Sequence, residues 1–241
     1  MFTAQASNPI VPPEPVVELA VAKHLPPYFF KSSNEGIEQR IVEQAIQLAG
    51  LGGLKLHYLS YPRAELELAS GTINGAINIP KESNVPGFYS DTLLYFQNVA
   101  VTLTKNDLTV DSIDDLANYR VFAFGNAHKY LGERFANAIK GKRDYEEFTN
   151  QFAQVTHLMS EHAQVIVLDK RIFIYYLRMY ERNNQAMDVT IHPIFEPSPR
   201  HIVFNSEAVR DQFNRGLAYL KATARYESIL ASAQTLAMME E

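Results

Sequence analysis

The feature that most constrains this chain is an alternation: short apolar runs of β-forming residues take turns with stretches whose apolar residues recur at helical spacing. Val16-Val17-Glu18-Leu19-Ala20-Val21-Ala22 reads as a strand. The next stretch, Ile37 to Leu48, puts Ile37, Ile41, Ala45 and Leu48 on one helical face. Leu54 to Ser60 is a strand with Leu54, Leu56 and Tyr58 in alternation, Arg63 to Ser70 a short helix stopped at Gly71, and Gly75 to Ile79 a third strand. Parallel strands need long crossovers that helices fill, so the pattern predicts an α/β fold with mainly parallel pairing.

The second half continues the pattern. Val99 to Thr104 is a strand followed by a turn at Lys105-Asn106-Asp107, and Ser112-Ile113-Asp114-Asp115 reads as a capping box opening a short helix. Arg120 to Phe124 is a strand that ends in Gly125-Asn126, with helical pattern resuming at Lys129. Val165 to Leu168 is a buried strand before Asp169, and the aromatic residues around Phe173, with Tyr175-Tyr176, read as helix core. Val189–Ile194 and His201–Phe204 are later strands, and the chain from Ser206 onward is mostly helical.

Composition excludes several classes. The net charge of -5 argues against nucleic acid as a partner, because phosphate neutralisation needs a basic surface. With no cysteine, disulfides, thiol catalysis and Cys-based zinc sites are impossible. His157 and His162 are five apart, a poor zinc spacing, and no Gly-x-Ser-x-Gly or Walker loop occurs. No run of about 18 apolar residues is present to cross a membrane. The start has no basic region leading into an apolar stretch, so no signal peptide is visible; Ala4-Gln5-Ala6 has the small-x-small form of a cleavage site, by chance or because a signal peptide was removed.

Four segments, in order, carry a resemblance. They are Leu25-Pro26-Pro27-Tyr28-Phe29-Phe30 with Gly36-Ile37-Glu38; Phe88-Tyr89-Ser90-Asp91; Val99 to Lys105; and Leu116-Ala117-Asn118-Tyr119-Arg120-Val121. Together the chain resembles, over about residues 16–235, the bacterial extracytoplasmic solute-binding proteins of family 3, the polar amino-acid-binding proteins of ABC importers. The resemblance implies a two-lobed periplasmic-binding-protein type II fold with two crossover hinge strands. On that reading residues 1–15 are a flexible leader, 16–101 plus 199–241 form lobe 1, 105–193 form lobe 2, and 102–104 and 194–198 are hinges. It further implies a periplasmic, monomeric binding protein, without a cofactor, that closes on a small polar, amino-acid-like solute for an ABC permease. The alternative is a ligand-sensing receptor or orphan module that signals through a membrane sensor. An enzyme on the same scaffold would need a cleft acid or base, and His128, Asp169 and Lys81 form no recognisable catalytic constellation.

The implied site residues follow from matching positions. Tyr28, presented by the Pro26-Pro27 turn at a strand's C-terminal edge, is expected to line the cleft, with Phe29 and Phe30 divided between cleft and core. Asn78 opens the segment in which the family reads Thr-x-x-Arg; here Pro80 takes the Thr position and Ser83 the Arg position, so the carboxylate clamp is missing. Lys81 and Arg63 are the candidate replacements, each also readable as a solvated surface cation. Gly125 and Asn126 form a turn whose N–H groups suit a ligand carboxylate, with Asn126 also readable as a plain N-cap and His128 as cleft or solvated helix. Asp169 matches the residue that receives the ligand ammonium; Lys170 or Arg171 could instead be its partner. Asp114-Asp115 and Glu146-Glu147 read as solvated faces.

Overall fold

A computed structural model describes residues 16–21, 24–78 and 85–232, with the backbone alone at Tyr61. The leader 1–15, the segment 79–84 with Lys81 and Ser83, and residues 233–241 lie outside the described residues.

The strands in chain order are β1 (Val17–Val21), β2 (Leu54–Tyr58), β3 (Gly75–Ile77), β4 (Phe88–Tyr89), β5 (Tyr95–Phe96) and β6 (Asn98–Leu103). They continue with β7 (Val121–Phe124), β8 (Tyr145–Phe148), β9 (Val165–Asp169), β10 (Val189–His192), β11 (Ser198–Pro199) and β12 (Ile202–Phe204). The helices are α1 (Ile37–Leu48), α2 (Tyr61–Ala69), α3 (Ala127–Tyr130), α4 (Gly132–Ala138), α5 (Gln151–Met159), α6 (Lys170–Glu181), α7 (Glu207–Lys221) and α8 (Ala224–Ala231). One five-stranded sheet runs β2-β1-β3-β12-β4, and a second runs β10-β6-β9-β7-β8. Between them β5 pairs with β11 as a two-stranded ribbon.

Pairing is more mixed than the alternation predicts. Four described pairings are parallel and five antiparallel. The parallel ones come from strand–helix–strand units. The antiparallel ones are the β5–β11 ribbon and the pairings of β6 with β9 and β10 and of β12 with β3 and β4; β6 and β12 each enter their sheet from the ribbon, with no strand–helix–strand crossover to set their direction.

The expected crossing at 102–104 differs from what is seen. Thr102 and Leu103 lie inside β6, which pairs with β9 and β10 in the second sheet. Val99 to Val101, read as part of the first lobe, sit in the same strand. The chain passes between the sheets through the β5–β11 ribbon, where a two-residue strand offers no periodicity to read.

Local rules explain most of the rest. Ser112 and Asp115 form the expected box, Asp115 accepting the Ser112 backbone N–H at 2.8 Å. In β9, Val165 and Val167 face one cluster while Ile166 and Leu168 face another, so the strand is buried on both faces. Helix α1 buries Ile37, Ile41, Val42, Ala45 and Ile46, while Leu48 is 46% exposed rather than on that face. Gly216 of α7 lets the two helices touch, since a Cβ there would run into the Ala45 carbonyl. The largest apolar cluster joins both halves: Leu19, Ile41, Phe204 and Phe213 belong to it with Val101, Ile166, Phe173 and Tyr175.

Candidate functional site

The C-terminal ends of β1, β3, β7 and β9 carry the residues singled out by sequence, as expected of α/β sheets. Asp169 closes β9 and caps α6, its Oδ1 accepting the N–H groups of Arg171 (2.9 Å) and Ile172 (3.1 Å). The same oxygen accepts the Tyr28 hydroxyl at 2.8 Å, and Oδ2 accepts the Gln97 N–H at 2.9 Å. Asp169 is 3% exposed and Tyr28 0%. Burial pushes the Asp169 carboxyl up, and the hydrogen bonds from Tyr28, Ile172 and Gln97 oppose that. Burial, then the neighbouring negative charge, pushes the Tyr28 hydroxyl well above its usual value.

Both residues are thus engaged by the chain itself. Tyr28 does not line an open cleft; its ring stacks on Phe96 of β5 with centroids 4.1 Å apart and its hydroxyl is spent on Asp169. Phe29 and Phe30 are core as well. Asp169 finds its partners in a tyrosine and three backbone N–H groups, not in a free carboxylate position awaiting an ammonium; Arg171 adds a favourable charge nearby. Gly36, which precedes α1, permits the close approach of the Tyr28 loop, because a Cβ there would meet the Tyr28 carbonyl.

At the end of β7 the turn forms, with Asn126 left-handed at φ 64°. Its side chain makes no capping bond, so the N-cap alternative does not hold. The turn's N–H groups are already occupied. The Glu147 carboxylate accepts from Asn126 N–H at 2.7 Å and His128 N–H at 3.0 Å. It also pairs with His128 Nδ1 at 2.7 Å and accepts the Tyr145 hydroxyl at 2.6 Å. Burial raises the Glu147 carboxyl, but the bonds from Tyr145, His128 and Asn126 outweigh it and bring it down to about 2. Glu147 was read as a solvated face; the alternation of Tyr145 and Glu147 along β8 is the signal that puts the two side chains together.

In the first sheet Asn78 follows β3 with φ 62°. Its Nδ2 donates to Glu38 Oε2 at 2.9 Å. Glu38, in the first turn of α1, is 0% exposed, and its carboxyl is pushed up to about 7 by burial, against the Asn78 bond and the Arg200 charge. Arg63 is a surface residue, its side chain 60% exposed and paired with Glu67 at 2.6 Å one turn on. Lys81 lies outside the described residues.

No family model matches the chain, and no curated protein matches it. Solved structures do. An ancestral cationic amino-acid solute-binding protein matches with a TM-score of 0.68 at 17% identity, over 90% of this chain and 94% of that one. A histidine kinase sensor domain with similarity to periplasmic binding proteins matches at 0.67 and 16%, over 91% and 96%. An amino-acid ABC transporter substrate-binding protein from Streptococcus pneumoniae, bound to L-arginine, matches at 0.65 and 13%, over 93% and 97%. The fold is that of the type II periplasmic binding proteins.

Each of the two five-stranded sheets carries part of the candidate site. Tyr28, which follows β1 of the first sheet, meets Asp169 at the end of β9 of the second, and Gln97, just after β5 of the ribbon, meets the same carboxylate. Asn126 and His128 gather around Glu147 beside the second sheet, the Gly125 N–H goes to the Phe148 carbonyl at 2.9 Å, and Asn78 pairs with Glu38 beside the first sheet. Arg63 makes its described ion pair on its own helix, away from any of these groups. Glu38, Gln97, Glu147 and Arg200 are the residues to which sequence reasoning gave no site role.

Proposed function

We propose that the chain is an extracytoplasmic solute-binding module that recognises a small polar solute other than a free α-amino acid. One observation carries this reading. The groups that the family resemblance assigns to a ligand's ammonium and carboxylate are each occupied by the chain itself: Asp169 by Tyr28 and three N–H groups, and the Asn126–His128 N–H groups by Glu147. A free amino acid would have to displace the buried Tyr28–Asp169 hydrogen bond at one end, about 1.5–3 kcal/mol, and the more exposed Glu147 bonds at the other, which cost less. The third handle, the clamp arginine, is replaced by Ser83.

On this reading the β5–β11 ribbon, Tyr95–Phe96 with Ser198–Pro199, is the hinge, and His128, whose side chain is half exposed, is the candidate ligand contact on the second lobe. The module senses its solute and reports through a membrane partner, a role supported by the likeness to a kinase sensor domain. A second reading, delivery to an ABC importer, is favoured by the transporter binding proteins among the similar structures. In both, the protein is periplasmic and does no covalent chemistry.

A thermal-shift panel of α-amino acids, amines, carboxylates, sugars and short peptides tests the ligand class, because a solute that binds only the folded chain raises its melting temperature. Amino acids are expected to leave it unchanged while one of the other classes raises it. A strong shift with an α-amino acid overturns the reading.

A further inference from the structure

We propose that Glu38 and Asn78 form a one-proton switch: Glu38 holds a proton in the folded chain, and losing it loosens the hinge side of the first lobe. The argument starts from two unpartnered atoms. Glu38 Oε1 and Asn78 Oδ1 are both buried without a hydrogen-bond partner. They are the leftover oxygens of two groups already joined, Asn78 Nδ2 donating to Glu38 Oε2 at 2.9 Å. Two buried acceptors left bare are costly. A single proton on Oε1 satisfies both, because a carboxylic acid and a primary amide then close a ring of two hydrogen bonds. An ionised Glu38 leaves Oε1 bare and sets its charge against the lone pairs of Asn78 Oδ1.

Among the described residues no cation forms an ion pair with Glu38. The charged group that acts on Glu38 from a neighbouring segment is Arg200, and it makes no described ion pair with it. The Arg200 guanidinium instead lies 4.2 Å over the Phe96 ring and donates to Ser198 Oγ at 3.0 Å. Lys81 and Glu82 follow Asn78 but lie outside the described residues. The raised carboxyl, about 7 against an ordinary 4.5, agrees with the geometry.

The consequence reaches the place where the lobes join. Phe96 carries Arg200 on its ring and also stacks on Tyr28, whose hydroxyl bonds to Asp169 of the second lobe. An ionised Glu38 pulls Arg200 off Phe96 and strips the Tyr28 stack of that cover. External acidity then sets how firmly the lobes are joined, independently of any solute.

The sign follows from linkage. The folded carboxyl titrates above the unfolded one, so the stabilisation is full below about 4.5 and is lost as pH rises through about 7. Unfolding of the full chain therefore releases one proton between these values. The test is side-chain carboxyl NMR of glutamate-labelled protein across pH, with melting curves of wild type and Glu38→Gln. One glutamate is expected to titrate near 7 and to vanish in Glu38→Gln. That variant, whose amide reproduces the two-bond ring, should match wild type at about pH 5 and melt higher at about pH 8. Should it fail to fold, Asn78→Ala serves instead and is expected to shift the midpoint of that glutamate. The proposal is overturned if every glutamate titrates at or below its ordinary value, or if Glu38→Gln melts lower than wild type at both pH values.

Discussion

Two wholly buried carboxylates, one in each lobe, have opposite surroundings. Asp169 sits at the N-terminus of α6 with four donors on its oxygens, three of them backbone N–H groups. Glu38 also sits in a first helical turn, yet receives one bond, from a neutral amide, and keeps a bare oxygen. Burial pushes both carboxyls up, but only Asp169 has the donors to hold a negative charge. The lesson is that burial alone does not set a carboxylate's role; the number and rigidity of its donors decide between a fixed joint and a titrating one.

The comparison breaks most readily at Asp169. Asp169→Ala removes a helix cap and strands the Tyr28 hydroxyl, so a loss of about 3–5 kcal/mol in urea unfolding is expected. A loss below about 1 kcal/mol would mean that the joint between the lobes carries little of the stability. The loss should also be largely independent of pH near neutrality, unlike the effect expected of Glu38.

Glu147 sharpens the contrast, because its shift has the opposite sign. Its folded carboxyl lies near 2 against an ordinary 4.5, so its stabilisation is present above about 4.5 and is lost as pH falls towards 2. Glu147→Gln should cost about 1–2 kcal/mol at neutral pH, discounted for its partial exposure, and flatten the acid limb of the stability curve. An unchanged acid limb would remove Glu147 from the Asn126–His128 turn. The smallest effect belongs to Arg63. Its exposed one-turn pair with Glu67 predicts a change within about 0.5 kcal/mol for Arg63→Ala, and no change in any solute-induced thermal shift. A lost shift would return Arg63 to the site.

Much of the scaffold was legible because it is written in short-range pattern. The span of α1, the Ser112–Asp115 box and the apolar β9 ending in Asp169 each follow from residues within a dozen positions of one another. The two-residue strands β4, β5 and β11 were not legible, since two residues have no period and their pairing is set by segments far along the chain. The site was only half legible. Gly125, Asn126, His128 and Asp169 were found at strand ends, but their partners were not, because Asp169 meets Tyr28 across 141 positions and Gln97 across 72.

The sequence by itself determined the strand–helix order, the apolar faces and the strand ends at which polar residues gather, because periodicity and capping act within a few residues. Only the tertiary structure decided where the chain crosses between the sheets and that Tyr28 and Asp169 spend their polar atoms on each other. It also decided that Glu147 fills its own turn and that Glu38 keeps a bare oxygen. Each of these depends on how many donors reach a buried acceptor, and that number exists only once distant segments have packed together.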